Sequence, residues 1–140
     1  MFDIVKKSFS KFNLSRYFHK EHPETLVFCN FILGISGDRF YDNMPNEKLE
    51  HHITDALREY NDNFAYMGLV LFEDALKHVT RICRIVLPPS GHALLVGVGG
   101  SGKQSLSKLS SFIMGYSLFS ITISSTYNMF DLRTDLQNLF

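Results

Sequence analysis

The stretch that decides the fold reads Gly97-Val98-Gly99-Gly100-Ser101-Gly102-Lys103-Gln104-Ser105. The short apolar run 92–96 before it is typical of a buried strand, and Leu106, Leu109 and Ile113 after it recur at the spacing of one helix face. A glycine-rich turn between a strand and a helix can direct its backbone N–H groups at an anion, because they converge at the helix N-terminus. The glycines lack the Cβ atoms that would block this approach, and Lys103 adds a positive charge for the β- and γ-phosphates. The stretch therefore predicts a phosphate-binding loop rather than a glycine-rich turn closed by a solvated lysine.

Length and composition limit the classes of protein to which the chain can belong. Its 140 residues are the size of one domain, and a hydrophobic content of 45% is typical of a packed globular protein. The formal net charge is zero, so we expect neither nucleic acid nor a membrane as a partner. Cys29 and Cys83 lie far apart among apolar neighbours, which predicts two buried free thiols and a reducing, intracellular compartment.

The first half of the chain is expected to be mainly helical. An amphipathic helix is predicted over residues 1–18, whereas the apolar run 26–33 has a length that suits a helix or a strand equally. Asn46 is a predicted N-cap of the next helix. The apolar stripe of that helix is formed by Leu49, Ile53, Ala56, Leu57 and Tyr60. The polar stretch 61–68 that follows is the expected boundary between two modules.

A further helix is predicted over residues 72–86, where apolar residues recur with helical spacing. Glu73 lies in its first turn and Arg84 near its end, which is the charge order that the helix dipole favours. Glu73 is also four residues before Lys77, the spacing of a helical ion pair. We interpret these charges as a solvated helix face rather than as catalytic groups.

The residues after the loop complete a strand, helix, strand order. The helix that starts at the loop is expected to end near Met114, with Gly115 as its C-terminal stop. Apolar and hydroxyl side chains alternate over residues 118–124, which predicts a second strand, and residues 129–140 predict another helix. Strand, loop, helix and strand within about thirty residues form a βαβ unit, which implies a parallel sheet with a right-handed crossover.

Residues before the loop, and not only the loop, resemble dynein heavy chains, in particular the fourth AAA+ module of the axonemal members. The resemblance rests on Tyr60-Asn61, Leu69-Val70-Leu71-Phe72-Glu73-Asp74-Ala75, His78, Arg81-Ile82-Cys83-Arg84-Ile85 and the run from Ala93 to Leu106. It implies an α/β fold, namely a partial P-loop NTPase (AAA+) parallel βαβ core preceded by a helical segment. Residues 1–60 would be the end of the preceding module's helical lid and the connection, and residues 61–140 the N-terminal half of the AAA+ large domain.

The resemblance also implies a function. The loop would bind ATP or ADP with Mg²⁺ as a regulatory nucleotide site in a six-module motor ring that moves along microtubules. The expected partners are neighbouring AAA+ modules of the same heavy chain, other dynein subunits and microtubules, and the expected location is the cytoplasm, the cytoskeleton and the axoneme of a cilium or flagellum. The segment from Leu69 to Phe72 would pack against the adenine, with Leu69 and Val70 as the site residues and simple core packing as the alternative for these two.

Two features shift the expectation from hydrolysis to binding. The usual pattern G-x-x-x-x-G-K-[ST] places a hydroxyl for Mg²⁺ directly after the lysine, whereas here Gln104 takes that position and the hydroxyl falls on Ser105. Gln104 and Ser105 are the candidate Mg²⁺ ligands. No Walker B acidic pair, sensor residue or arginine finger is identified in the 140 residues. We therefore expect the chain alone to bind nucleotide without hydrolysing it; the alternative is a truncated stand-alone P-loop protein that acts as a non-catalytic interaction module.

Overall fold

The computed structural model describes Ile4 and residues 7–12, 27–34 and 37–140. In chain order its elements are β1 (Phe28–Cys29), β2 (Asp42–Asn43), α1 (Asn46–Asn63), α2 (Glu73–Val86), α3 (Lys103–Met114) and α4 (Met129–Leu139). The helix predicted over residues 1–18 lies largely outside the described residues. None of the helices in the described part of the chain is both long and apolar enough to cross a membrane.

One hydrophobic core joins α1, α2, α3 and the segment around β1. Helix α2 packs mainly on α3, and α1 packs against both. The predicted apolar stripe of α1 is confirmed, since Leu49, Ile53 and Ala56 are buried and Leu57 and Tyr60 pack partly buried against the core. The core draws on residues from both sides of residue 60, so burying the apolar face of α1 requires the helices that follow it.

The start of α1 differs from the prediction. Asn46 is the first residue of the helix rather than its cap, Pro45 occupies the cap position, and no side chain caps the end. The ring of Pro45 holds φ at −59°, and its carbonyl accepts the first helical hydrogen bond from the Leu49 N–H at 3.0 Å. Because the proline already sets the entry of the chain into the helix, the helix begins one residue earlier than a cap at Asn46 would require.

The predicted strands 92–96 and 118–124 do not pair with each other or with another strand in the described residues. The sheet that the structure does contain is antiparallel and has two residues in each strand, pairing Phe28 with Asn43 and Cys29 with Asp42. Leu94 and Val96 are 90% and 87% exposed, so the apolar side chains of the first predicted strand are not covered. A strand needs a hydrogen-bonded neighbour and a covered apolar face, and a parallel sheet needs both on several strands at once.

Helices α2, α3 and α4 agree with their predicted positions. The carboxylate of Glu73 lies 2.6 Å from Lys77 Nζ, which confirms the expected pair on α2. Gly115 ends α3 in the left-handed region, at φ 72°, and its N–H donates to the Phe112 carbonyl. Helix α4, in contrast, has no buried residue, so its place in the chain is determined by its own local interactions.

Candidate functional site

The glycine loop enters α3 through two residues in the left-handed region of the backbone. Gly100 has φ 77° and Gly102 has φ 78°, and Gly102 is the N-cap of α3. Residues with a Cβ atom pay roughly 1–2 kcal/mol in this conformation, which explains glycine at these two positions. No side chain caps the helix. The N–H groups of its first turn, which have no acceptor within the helix, are therefore left to bind an anion.

The ammonium group of Lys103 is held by the loop itself. Its Nζ donates to the carbonyl oxygens of Gly97 and Val98, each at 2.6 Å, and to the hydroxyl of Ser101 at 3.1 Å. These three acceptors match the three N–H donors of a lysine. The charge therefore lies inside the curve of the loop, where it can exchange carbonyl oxygens for phosphate oxygens and gain charge-assisted hydrogen bonds.

The two candidate metal ligands follow directly after Lys103. Gln104 is exposed and Ser105 is half-buried on the first turn of α3, which carries no acidic residue. Among the described residues, no group of three or more His, Cys, Asp and Glu side chains could hold a metal ion. Mg²⁺ is bound in proteins mainly by carboxylates, substrate phosphates and water. An amide and a hydroxyl, both neutral, do not make a Mg²⁺ site without the phosphates of a ligand.

The structure separates the two residues expected to contact adenine. The Leu69 side chain is half-buried, and its Cδ1 atom lies 3.8 Å from the position that a Cβ atom on Gly102 would take. Val70 is 75% exposed and points away from the core. Leu69 is therefore brought to the loop as an apolar contact, whereas Val70 remains a surface side chain.

A cleft of about 520 Å³ lies between the second half of α2 and the loop. Its polar lining comes from His78 and Arg81 of α2 together with Ser101 and Lys103, and apolar residues of α2 and of 93–98 form the rest. The lining contains an arginine and a lysine and no acidic residue. A volume of this size falls within the range of small-molecule sites, about 300–1,000 Å³. The sequence gives His78 and Arg81 no role at the loop, because their position beside it depends on the packing of α2.

Asn61 is a polar residue near the site that the sequence indicates only through the family resemblance, without a role. Its side-chain Oδ1 accepts the Met67 N–H at 2.7 Å, and its Nδ2 donates to the Met67 carbonyl at 3.3 Å. Next to it, the rings of Tyr60 and Phe64 stack 5.0 Å apart, and both contact Phe112 of α3 edge to face. Part of the predicted boundary 61–68 is therefore held in place by these contacts.

Both cysteines are buried and free, as the sequence predicts. Burial raises the pKa of the Cys83 thiol to about 12, and the thiol lies 3.9 Å from the Ser110 carbonyl of α3. Burial also raises the pKa of Cys29. Both groups therefore remain protonated at neutral pH and act as small apolar side chains of the core.

Comparisons with known proteins support the family resemblance that the loop and the residues before it suggest. Residues 67–140 match the family described as P-loop containing dynein motor region D4. The chain is 50% identical over 138 residues to the dynein alpha chain of the flagellar outer arm from Chlamydomonas reinhardtii, and 46% identical over 117 residues to dynein axonemal heavy chain 11 from Sus scrofa. It is also 50% identical over 111 residues to the ciliary dynein beta chain from Tripneustes gratilla.

These alignments cover 98%, 84% and 79% of the chain but only 3%, 3% and 2% of the three relatives, so the chain spans a small part of their length. The family match covers more than half of the chain and contains the loop, Leu69 and helices α2 to α4. The chain therefore belongs to the dynein heavy chain family, through its P-loop motor region D4.

Proposed function

We propose that this chain is a nucleotide-binding portion of an axonemal dynein heavy chain, in which the loop 97–105 binds ATP or ADP as a regulatory site. The observation that supports this most directly is the glycine loop at the uncapped start of α3, with the Lys103 ammonium held inside the loop. Backbone N–H groups and a fixed lysine are the two components with which such loops hold polyphosphates.

Each part of the site has a separate role in the proposal. The N–H groups at the start of α3 hold the phosphates, and Lys103 neutralises them by exchanging the carbonyls of Gly97 and Val98 for phosphate oxygens. Leu69 supplies an apolar surface for the base. Gln104 and Ser105 contact Mg²⁺ only when it arrives with the phosphates, so binding rather than hydrolysis is the proposed activity.

The place of the chain in the larger protein is part of the same proposal. Residues 1–60 are proposed to be the end of the preceding module's lid, and 61–140 the first half of a large AAA+ domain. Neighbouring AAA+ modules, other dynein subunits and microtubules would be partners through the parent heavy chain, in the axoneme of a cilium or flagellum. The names of the relatives, which are flagellar, axonemal and ciliary dyneins, support this location.

Titration of the purified chain with a fluorescent ADP analogue tests the proposal. Lys103→Ala removes the phosphate-facing charge and is expected to weaken binding by about 10- to 150-fold, corresponding to about 1.5–3 kcal/mol. Lys48→Ala is the matched control, because Lys48 is an exposed lysine on α1. Equal affinities of the two variants would overturn the assignment of the loop as the site.

Phosphate release from ATP is expected to stay at background, and turnover like that of a complete AAA+ enzyme would contradict the binding-only role.

The second candidate function, a non-catalytic interaction module, is favoured by a different observation. Leu94, Val96 and Ile123 expose most of their apolar side chains, and such surfaces are common where another protein binds. A chain that binds no nucleotide but self-associates or captures dynein segments in sedimentation experiments would support this function over the first. In the dynein proposal, other parts of the heavy chain cover the same surfaces.

A further inference from the structure

A short connection, residues 64–72, joins the end of α1 to the start of α2 and passes the glycine loop on its way. The Asn61 side chain holds this connection at Met67, where it accepts the backbone N–H at 2.7 Å and donates to the carbonyl at 3.3 Å. One amide thus satisfies both backbone polar groups of a buried residue. The position of Met67 is therefore determined by a residue on α1.

The same connection touches the loop two residues later. Leu69 is half-buried, with Cδ1 3.8 Å from the Cβ position of Gly102, and Met67 itself is buried in the core. Residues 67–69 span at most about 7 Å when extended, so a shift of Met67 reaches Leu69 with little slack. The Asn61–Met67 hydrogen bonds and the close approach of Leu69 to Gly102 thus link α1 to the cap of α3 through one short stretch of chain.

We propose that Asn61 is a positioning residue for the base of the bound nucleotide, acting through Met67 and Leu69, so that the end of α1 is coupled to the glycine loop. The inference rests on the proposed function, because it assumes that the loop binds a nucleotide and that Leu69 faces its base. Asn61 contacts neither the loop nor Lys103 in the described hydrogen bonds. Its effect should therefore be confined to ligands that carry a base.

The aromatic cluster next to Asn61 supports the coupling. Tyr60 and Phe64 at the end of α1 both contact Phe112 near the end of α3, at ring distances of 5.6 Å and 6.0 Å. The C-terminal end of α1 is thus packed on the helix whose N-terminal end carries the glycine loop. This packing gives Asn61 a rigid base from which to hold Met67.

The test compares two asparagines of α1 and two ligands. Asn61→Ala removes both hydrogen bonds to Met67. Asn63→Ala is the matched control, because Asn63 Nδ2 donates to the Glu59 carbonyl of its own helix and not to the connection. Calorimetric titrations use ADP and inorganic tripolyphosphate, which share phosphates but not a base. Asn61→Ala is expected to weaken ADP binding by about 5- to 10-fold, the effect of one or two lost hydrogen bonds, and to leave tripolyphosphate within about twofold of the unsubstituted chain.

A coupling measurement separates positioning from general destabilisation. With Leu69→Ala already present, Asn61→Ala should have no further effect on the ADP dissociation constant, because the contact through which it acts is gone. Equal weakening of ADP and tripolyphosphate, additive effects in the double variant, or ADP binding like that of Asn63→Ala would each overturn the proposal. Should circular dichroism show that Asn61→Ala is unfolded, Asn61→Asp replaces it, since Asp keeps the acceptor for the Met67 N–H and should give a smaller loss with the same ligand selectivity.

The Lys103→Ala titration distinguishes failure of the positioning role of Asn61 from failure of the proposed nucleotide-binding function. Loss of binding in Lys103→Ala together with unaltered ADP binding in Asn61→Ala rejects the positioning role alone. If the unsubstituted chain binds neither ligand, or if Lys103→Ala binds both as before, the proposed function fails and the positioning role fails with it.

Discussion

The N-termini of α3 and α4 differ in what is available to bond their first N–H groups: α4 has a side-chain cap and α3 has none. Helix α4 begins with a capping box, in which Asn128 Oδ1 accepts the Phe130 N–H at 2.8 Å and Asp131 Oδ2 accepts the Asn128 N–H at 2.9 Å. Helix α3 begins at Lys103 after its N-cap Gly102, with no side-chain cap and no acidic residue in its first turn. The α4 start uses its own side chains and has no need of a ligand, whereas the α3 start keeps its N–H groups available for an anion.

The largest expected effect comes from giving α3 an acidic cap. Gly102→Asp places a carboxylate at the helix start, where it competes for the same N–H groups and repels phosphates, so ADP binding should fall by more than about 100-fold. Gly102→Ala is the control, because it introduces the strain of a Cβ at positive φ without the charge. Fluorescent nucleotide titration measures both variants. Similar losses in the two would show that backbone conformation, and not competition for the N–H groups, governs binding.

The next effect concerns the metal. ADP binding to the unsubstituted chain should change by no more than about threefold when Mg²⁺ is removed with a chelator, because Gln104 and Ser105 offer only neutral oxygens. Gln104→Thr puts a hydroxyl directly after Lys103 and should make ATP binding depend on Mg²⁺ by about tenfold. Titrations with and without the chelator measure this. A strong Mg²⁺ dependence in the unsubstituted chain would contradict our assignment of phosphate binding to the loop and Lys103 alone.

A smaller effect is expected from removing the cap of α4. Asn128→Ala should destabilise the helix start by about 1 kcal/mol, because α4 has no buried residue to hold it otherwise. Amide hydrogen exchange over residues 129–133 should then speed up by about fivefold, while ADP binding stays the same. Asn128→Asp keeps the acceptor and is the control. Unchanged exchange in Asn128→Ala would mean that the capping box does not stabilise α4.

The smallest effect is confined to alkaline pH. Tyr127 OH donates to Asp135 Oδ2 at 2.7 Å, and desolvation together with that carboxylate raises the pKa of Tyr127 to about 12 from 10.0. A pKa raised on folding adds stability below pH 10 that is lost as pH rises toward 12. Exchange at α4 should therefore accelerate over this interval more in the unsubstituted chain than in Tyr127→Phe, and equal acceleration would exclude the phenol as the cause. Amide exchange at the start of α3, which has no phenol of this kind, should rise with pH to the same extent in the unsubstituted chain and in Tyr127→Phe.

Sequence reasoning was most successful for the helices. Three predictions follow from spacing within a single helix, and that spacing can be read directly from the sequence. They are the apolar stripe from Leu49 to Tyr60, the pair of Glu73 with Lys77 and the helix stop at Gly115. It was less successful at the caps. Asn46 and Asn128 have the same side chain, but Pro45 takes over the start of α1, while Asp131 three residues after Asn128 completes a capping box that the sequence pattern N-x-x-D could have revealed.

The same reasoning did not predict which strands pair or which elements contact each other. The apolar run 92–96 has the composition of a buried strand, but Leu94 and Val96 are exposed because no partner strand pairs with that run in the described residues. The lining of the cleft by His78 and Arg81 depends on where helices pack and not on spacing. The hydrogen bonds of Asn61 to Met67 join residues only six apart, but no periodic pattern in the sequence indicates them. The adenine assignment of Leu69 and Val70 stays a prediction, with Leu69 near the loop and Val70 exposed in the structure.

The sequence by itself determined the glycine loop, the helix that follows it, the two free thiols and the resemblance to dynein heavy chains. These depend on residues close together in the chain, where stereochemistry and helical period operate without help from distant parts. The tertiary structure alone decided that Leu69 comes close to Gly102 and that His78 and Arg81 line the cleft beside the loop. Such contacts join groups whose approach is set by the packing of α1, α2 and α3, and no local pattern encodes that packing.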